Sequence, residues 1–322
     1  MSSLQGARVL ITGGAGFVGS QIADKLIDSG ASRIVILDNL IRGSRQNLAY
    51  AIASERVELI EGDVRDAELV SSLMEGVDVV FHQSALRITH CAQEPMLASD
   101  VMHRGLQNVL EAATRWGVSK VVAASSASVY GEPSYLPIDE GHPFNNRTLY
   151  GALKIGEEQM LRAYAEMSGL RYLALRPFNI YGPRMDIHGL YTEVMIRWLQ
   201  RLSEGESPII FGDGSQTMDF IHVEDVARAY LLAAESDETD DVFNVGSGTD
   251  TSLLELCSFL CEEMGVPDAK PEFKPPRSVN PVSRRLASTA HIRECLGFEP
   301  RIKLREGLQD LVRWYKTPAG AV

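Results

Sequence analysis

Short runs of β-branched and aliphatic residues alternate with amphipathic stretches through the first half of the chain. The apolar runs are "RVLIT" (8–12), "RIVILD" (33–38), "VELIEGD" (57–63), "VDVVFH" (77–82), "KVVAASS" (120–126) and "RYLALRP" (171–177). Between them, apolar residues recur at helical spacing near 17–29, 66–75, 96–116 and 149–168. A strand that is apolar on both faces must be covered on both, so this alternation predicts a parallel sheet sandwiched between helices, a doubly wound α/β domain. Beyond Pro177 the pattern loosens. Helices are expected near 190–204, 252–264 and 304–315, while "DFIHV", "VEDVARAYLLAAE" and "DVFNVGS" read as a return to the first unit. The expected division is a nucleotide-binding unit over 1–176, 219–247 and about 284–296. A smaller, discontinuous α/β lobe takes 177–218, 248–283 and 297–322, with ligand between the two.

Composition narrows the function. The 322 residues are 45% apolar and 23% charged, and no apolar run reaches the roughly 18 residues of a membrane helix. A strand begins at Arg8 with no cleavage pattern before it, so a cytoplasmic protein without membrane contact is expected. The net charge of −12, with no dense Lys/Arg cluster, argues against nucleic acid, though not against a small anionic ligand. Cys91, Cys257, Cys261 and Cys295 show neither CxxC nor a histidine partner spacing, so they are expected as reduced thiols. Cys257 and Cys261, four apart on a helix, are assigned to packing. No metal site is expected.

"LITGGAGFVGSQIADKL" places a glycine-rich turn between a strand and a helix. Gly14, Gly16 and Gly19 fit G-x-G-x-x-G, and Gly13, Gly16 and Gly19 fit the related G-x-x-G-x-x-G. Missing side chains let backbone N–H groups at a helix start approach a pyrophosphate. Asp38 ends the next strand, 19 residues after Gly19, where a carboxylate accepts from ribose hydroxyls and repels a 2′-phosphate; that favours NAD over NADP. Phe17 and Val18 in the turn, Asn39, and Asp63 with Val64 after the third strand complete the expected cofactor contacts. Asp63 serves equally well as a cap for the following helix.

Tyr150 and Lys154 lie one helical turn apart on the same face. Oxidising an alcohol requires removing its hydroxyl proton, and a phenol titrating near 10 does this at neutral pH only if the Lys154 charge and that of an oxidised nicotinamide together favour the phenolate. Lowering it by about 3 units needs roughly 4 kcal/mol. Tyr150 is the candidate general base, though by itself a Y-x-x-x-K on a helix reads more readily as a surface pair; its position after a strand ending in serines, and the resemblance of the wider motif set to a known family, favour the base.

TGGAGFVG, the Asp38 strand end, "GDV" (62–64), "SSASVYG" (125–131), "YGALK" (150–154), "RPFNIYGP" and "GDGSQTMDFIHVEDVARA" together resemble the extended short-chain dehydrogenase/reductases, in their nucleotide-sugar epimerase branch. The resemblance spans nearly the whole chain. It implies a Rossmann domain, NAD held through turnover, a homodimer built on the helices near 96–116 and 149–168, and a UDP-sugar as favoured substrate. It implies Ser126, Tyr150 and Lys154 as catalytic residues, with Ser126 and Ser128 at the sugar and Asn179 and Arg277 at the diphosphate. Ser125 then satisfies its neighbours, Tyr130 packs the turn, His82 is structural, and His222 and Asp225 serve a helix start. Related 4,6-dehydratases carry Asp-Glu just after the catalytic hydroxyl, and related decarboxylases a Glu. Ala127 and Ser128 stand here, which favours epimerisation at C4 over dehydration, decarboxylation or net reduction. Two positions depart from the pattern. Met218 replaces an arginine that binds phosphate, and Met102 replaces an asparagine that orients the lysine. Arg184, Arg277, Arg87, or the pair Arg284 and Arg285 are candidates for the missing charge, toward a phosphate or an acidic sugar. A non-catalytic NAD-binding regulator is the alternative that the two methionines favour and the intact Ser126, Tyr150 and Lys154 oppose.

Overall fold

The computed structural model describes residues 4–187, 194–276 and 284–317. In chain order its strands are β1 (Arg8–Thr12), β2 (Arg33–Asp38), β3 (Val57–Glu61), β4 (Val79–His82), β5 (Lys120–Ala124), β6 (Tyr172–Pro177) and β7 (Asn179–Tyr181). Then follow β8 (Ile209–Phe211), β9 (Thr217–His222), β10 (Asp241–Val245), β11 (Asp250–Ser252), β12 (Glu272–Lys274) and β13 (Arg284–Arg285). Seven of them form one all-parallel sheet in the order β10-β6-β5-β4-β1-β2-β3. Ile22, Leu26, Tyr230 and Ala233 cover one face of this sheet. Val109, Leu110, Leu161 and Met74 cover the other. This is the Rossmann arrangement, in which the strand order turns back between β1 and β4 and a crevice opens beyond their carboxyl ends.

A second sheet, of order β11-β9-β13 with β7 also on β9, lies outside the first. Trp198, Leu199, Ile210, Leu256, Leu260 and Leu308 form its core, together with Cys257 and Cys261, which pack as the spacing suggested. β9 and the pair Arg284–Arg285 pair in the second sheet, while the helices Val223–Glu235 and Ala290–Leu296 and strand β10 pack with the large sheet, where Tyr230, Ala233, Phe243, Val245, Ile292 and Leu296 supply apolar surface.

The expected helix over 96–116 divides into turns at Pro95–Ser99, a π-helical segment Asp100–Arg104 and a regular helix Gly105–Trp116. A Cβ on Gly105 would come within 2.6 Å of Val64 Cγ1. The helix Leu149–Ser168 starts on Thr148, whose hydroxyl accepts from Gly151 N at 3.1 Å. A Cβ on Gly151 would meet Ser128 O at 2.7 Å. That glycine lets the first turn of the helix, carrying Tyr150, press against the turn that carries Ser126.

Candidate active site

One cleft of ≈ 2140 Å³ runs across the carboxyl ends of β1, β2, β4 and β5 and on to the second sheet. Drug-sized ligands occupy roughly 300–1,000 Å³, so this cleft has room for a dinucleotide and a second ligand together. Gly13, Gly16, Phe17, Val18 and Gly19 line it, as do Asp38, Asn39, Asp63 and Val64. Gly14 instead packs inward, where its Cβ would meet Ile36 Cγ2 at 2.7 Å, so the Gly13, Gly16, Gly19 register is the one presented to ligand. At Gly13, φ is +69° and a Cβ would strike Ser84 N at 2.8 Å; at Gly19 it would strike Gly14 Cα at 2.7 Å. The turn is as tight as its lack of side chains allows, and it feeds directly into the N-terminus of the helix Phe17–Asp28.

Asp38 is buried and accepts from Ala15 N and Leu40 N, each at 2.9 Å. Burial raises its carboxyl above the usual range, with those N–H groups offsetting part. Gly43 makes room for it: a Cβ there would fall 2.7 Å from Asp38 Oδ1. Asp63 is gripped by Arg65, whose Nη2 donates to Oδ2 at 2.7 Å and which holds the carboxyl down at about 2. It does not cap the following helix. Asp66 does, accepting from Leu69 N at 3.0 Å. These residues form a fitted cradle for NAD, with N–H groups and glycines at the phosphate end and a carboxylate at the ribose end.

Ser126, Tyr150 and Lys154 meet on the cleft wall. Ser126 caps a single 3₁₀ turn, its Oγ accepting from Ser128 N at 3.1 Å, and its hydroxyl also bonds to the Tyr150 oxygen. The Lys154 Nζ lies 5.9 Å from the centre of the Tyr150 ring. It donates to Ala124 O at 2.6 Å and Glu157 Oε2 at 2.7 Å. The fall expected for Tyr150 rests on two cations, Lys154 and an oxidised nicotinamide, and the protein groups alone do not produce it. Burial raises the phenol's pKa, and the Lys154 charge and the Ser126 bond offset only part. The lysine ammonium is already shared with a carboxylate, which blunts its field at the phenol.

A buried network behind the wall fixes these parts. Arg176 on β6 forks onto Glu158, Nε to Oε1 at 2.8 Å and Nη2 to Oε2 at 2.6 Å, and also donates to Tyr130 OH at 2.8 Å. Ser125 donates to Glu158, and Tyr130 to Asn244 Oδ1 at 2.6 Å. Tyr130 is fully buried, so it packs as expected. His82, also buried, pairs with Thr12 at 2.8 Å; burial drives its imidazole down to about 3 and keeps it neutral. His222 caps its helix and Asp225 accepts from Arg301 N and Ile302 N at 2.9 Å, both structural roles. Arg176, Glu157 and Glu158 escaped the sequence reading. Their one signal is the spacing of the two glutamates, three and four residues after Lys154 on a helix.

Ser128, Asn179 and Arg184 also line the cleft. Asn179 donates to Asp219 O at 2.9 Å, and Arg184 is tied to Asp24 at 2.6 Å. Arg277 lies outside the described residues. Arg87 faces Asp186 at 3.6 Å, and Arg284 meets Asp250 at 2.7 Å. Arg285 differs. It pairs in register with Met218, lines the cleft, and has its Nε and Nη2 buried without a hydrogen-bond partner. Burial lowers its guanidinium to about 10, which leaves it charged at neutral pH. Met102 packs against Cys91 and Leu153 and offers no polar contact to Lys154.

The model of the NAD dependent epimerase/dehydratase family matches residues 9–246. A UDP-glucose 4-epimerase of Mycolicibacterium smegmatis is 38% identical over 312 residues, 96% of this chain and 98% of that protein. A dTDP-glucose 4,6-dehydratase of an Actinoplanes species is 32% identical over 323 residues, 96% and 98%. The solved UDP-N-acetylglucosamine 4-epimerase of Methanobrevibacter ruminantium M1, in complex with UDP-N-acetylmuramic acid, superposes with a TM-score of 0.91 at 32% identity, covering 97% of this chain and 98% of that one.

Proposed function

The chain belongs to the NAD dependent epimerase/dehydratase family, and from that premise we propose that it inverts the C4 centre of a UDP-sugar by way of a 4-keto sugar. The observation that carries this reading is the junction of Ser126, Tyr150 and Lys154 with no further acid on its cleft face, Glu157 and Glu158 lying behind the wall. Among the described residues the carboxylates lining the cleft are Asp38, Asp63, Asp186 and Asp213, none of them on the Ser126 turn or the Tyr150 helix. Elimination of water needs a further acid and base at the sugar, which this wall lacks.

The residues that would hold NAD are Gly13, Gly16, Phe17, Val18 and Gly19 at the pyrophosphate, Asp38 and Asn39 at the ribose, and Asp63 and Val64 toward the adenine. NAD, the family's cofactor, supplies a hydride acceptor that later returns the hydride. The chain does the rest. Ser126 orients the sugar hydroxyl and Tyr150 accepts its proton. Lys154, its charge held near the phenol, favours the ionised form. Arg285, with Asn179 and Arg184 nearby in the cleft, supplies the cation for the anionic part of the substrate in place of Met218. Arg277 belongs to the same proposed set. No described helix is long and apolar enough to cross a membrane, and a cytoplasmic homodimer, joined through the helices Gly105–Trp116 and Leu149–Ser168, is part of this reading.

The test is incubation of the purified protein and NAD with UDP-, GDP-, CDP- and dTDP-sugars, with products read by proton spectra and mass. The expected result is an isomer of unchanged mass inverted at C4, with no net change in nicotinamide absorbance. Loss of water or of carbon dioxide from the sugar would contradict it.

A further inference from the structure

Glu157 lies three residues beyond Lys154 on the same helix, and both side chains are sealed from solvent, at 3% and 1% exposure. The Lys154 ammonium sits 2.7 Å from Glu157 Oε2, while Oε1 is buried with no hydrogen-bond partner. A carboxylate in such a place loses its hydration and recovers only part of it through one contact. The packing does not call for it. The adjacent Glu158 alone serves Arg176 and Ser125, and Lys154 is already tied to the backbone at Ala124 O.

We propose that Glu157 is a positioning residue that holds the Lys154 ammonium and, through its opposite charge, sets the pH at which Tyr150 accepts a proton. This rests on the reading of Tyr150 as proton acceptor. A negative charge beside the lysine opposes a second negative charge on the phenol, and Glu157 acts on Tyr150 in that sense. Burial pushes the Glu157 carboxyl up to about 7, with Lys154 offsetting part. Burial would lower Lys154, but Glu157 and Tyr150 more than reverse that and keep it protonated. The other titratable groups facing this cluster are His82 at the end of β4, Cys91 on the turn Ile88–Gln93, His103 over Gly156, and Tyr230 on the helix Val223–Glu235. His82 is neutral above about 3, Cys91 is raised to about 11 and Tyr230 is raised by burial, so these three keep one protonation state near neutrality. His103 Nε2 is engaged with Leu153 O at 3.0 Å. Arg176 is locked to Glu158.

The experiment follows phenolate absorbance against pH in the full-length protein, each variant being compared with its own Tyr150→Phe counterpart so that Tyr150 alone is read. Glu157→Gln keeps the size and removes the charge. The Tyr150 titration should move to lower pH by about 1.5–2 units, the effect of one charge roughly 6–8 Å away at an effective dielectric near 20. Glu157→Asp, which keeps the charge but draws it back by one methylene, should move it the same way by less. If the glutamine variant does not fold, the aspartate variant carries the test. An unmoved titration in a folded variant overturns the proposal. Epimerase assays separate this from the underlying reading. Full activity in Tyr150→Phe removes Tyr150 as acceptor, whereas lost activity with an unmoved Glu157→Gln titration removes only the role of Glu157.

Discussion

Glu158→Gln tests whether the catalytic wall is held from behind by a buried charge pair. Glu158 and Arg176 are 4% and 3% exposed and joined by two parallel bonds, with Ser125, Tyr130 and Glu140 completing the set. Glutamine keeps the shape but leaves the Arg176 guanidinium without a counter-charge in a site closed to water. Removing one partner of a buried pair destabilises by about 3–5 kcal/mol. For a chain of this size a loss of that order lowers the melting midpoint by roughly 2 °C per kcal/mol, or about 6–10 °C in all. Circular dichroism melting of wild type, Glu158→Gln, and the double variant Arg176→Met with Glu158→Leu measures it. The double variant removes both charges and should recover part of the loss, because no charge is then stranded. A Glu158→Gln midpoint within about 2 °C of wild type would refute the argument, since at that size the pair contributes no more than a surface pair does.

Arg285→Ala should raise KM for a UDP-sugar at least about tenfold through loss of one charge-assisted contact, with NAD affinity unchanged; an unchanged KM removes Arg285 from the substrate site. His82 is buried neutral, with its folded pKa lowered to about 3 from the ordinary histidine value of about 6.5. Between those two pH values the unfolded chain binds the extra proton, so stability is lost as pH falls through that window. From pH 7 to 5 this one residue accounts for about 2 kcal/mol of loss. Urea unfolding at the two pH values should show a smaller decline in His82→Asn, and an equal decline would contradict it.

The large sheet was legible because its strands are buried on both faces and read as unbroken apolar runs. Gly13, Gly16, Gly19 and Asp38 were legible because their chemistry follows one another in the chain. Gly14 satisfied one template equally well, and only its packing on Ile36 separates it from the ligand-facing glycines. Alternation reports burial and not the sheet in which a strand pairs, so it does not reveal that the strand at 217–222 pairs with β7, β11 and β13. The helix 96–116 read as continuous because a π-helical segment keeps the same apolar composition as its neighbours. The share of the Tyr150 shift that the protein itself sets was hidden for a related reason. Spacing reveals that a lysine stands near the phenol, but not that Glu157 shares its charge or how far the ring is removed from water.

The account stands on Tyr150 taking the proton of the sugar hydroxyl, and its most direct measurement is the epimerisation rate of Tyr150→Phe with NAD and substrate saturating. Losing a general base slows turnover by about 10²–10⁴-fold, while the melting midpoint and NAD affinity stay at wild-type values. A phenylalanine variant that turned over within a few-fold of wild type would contradict the account.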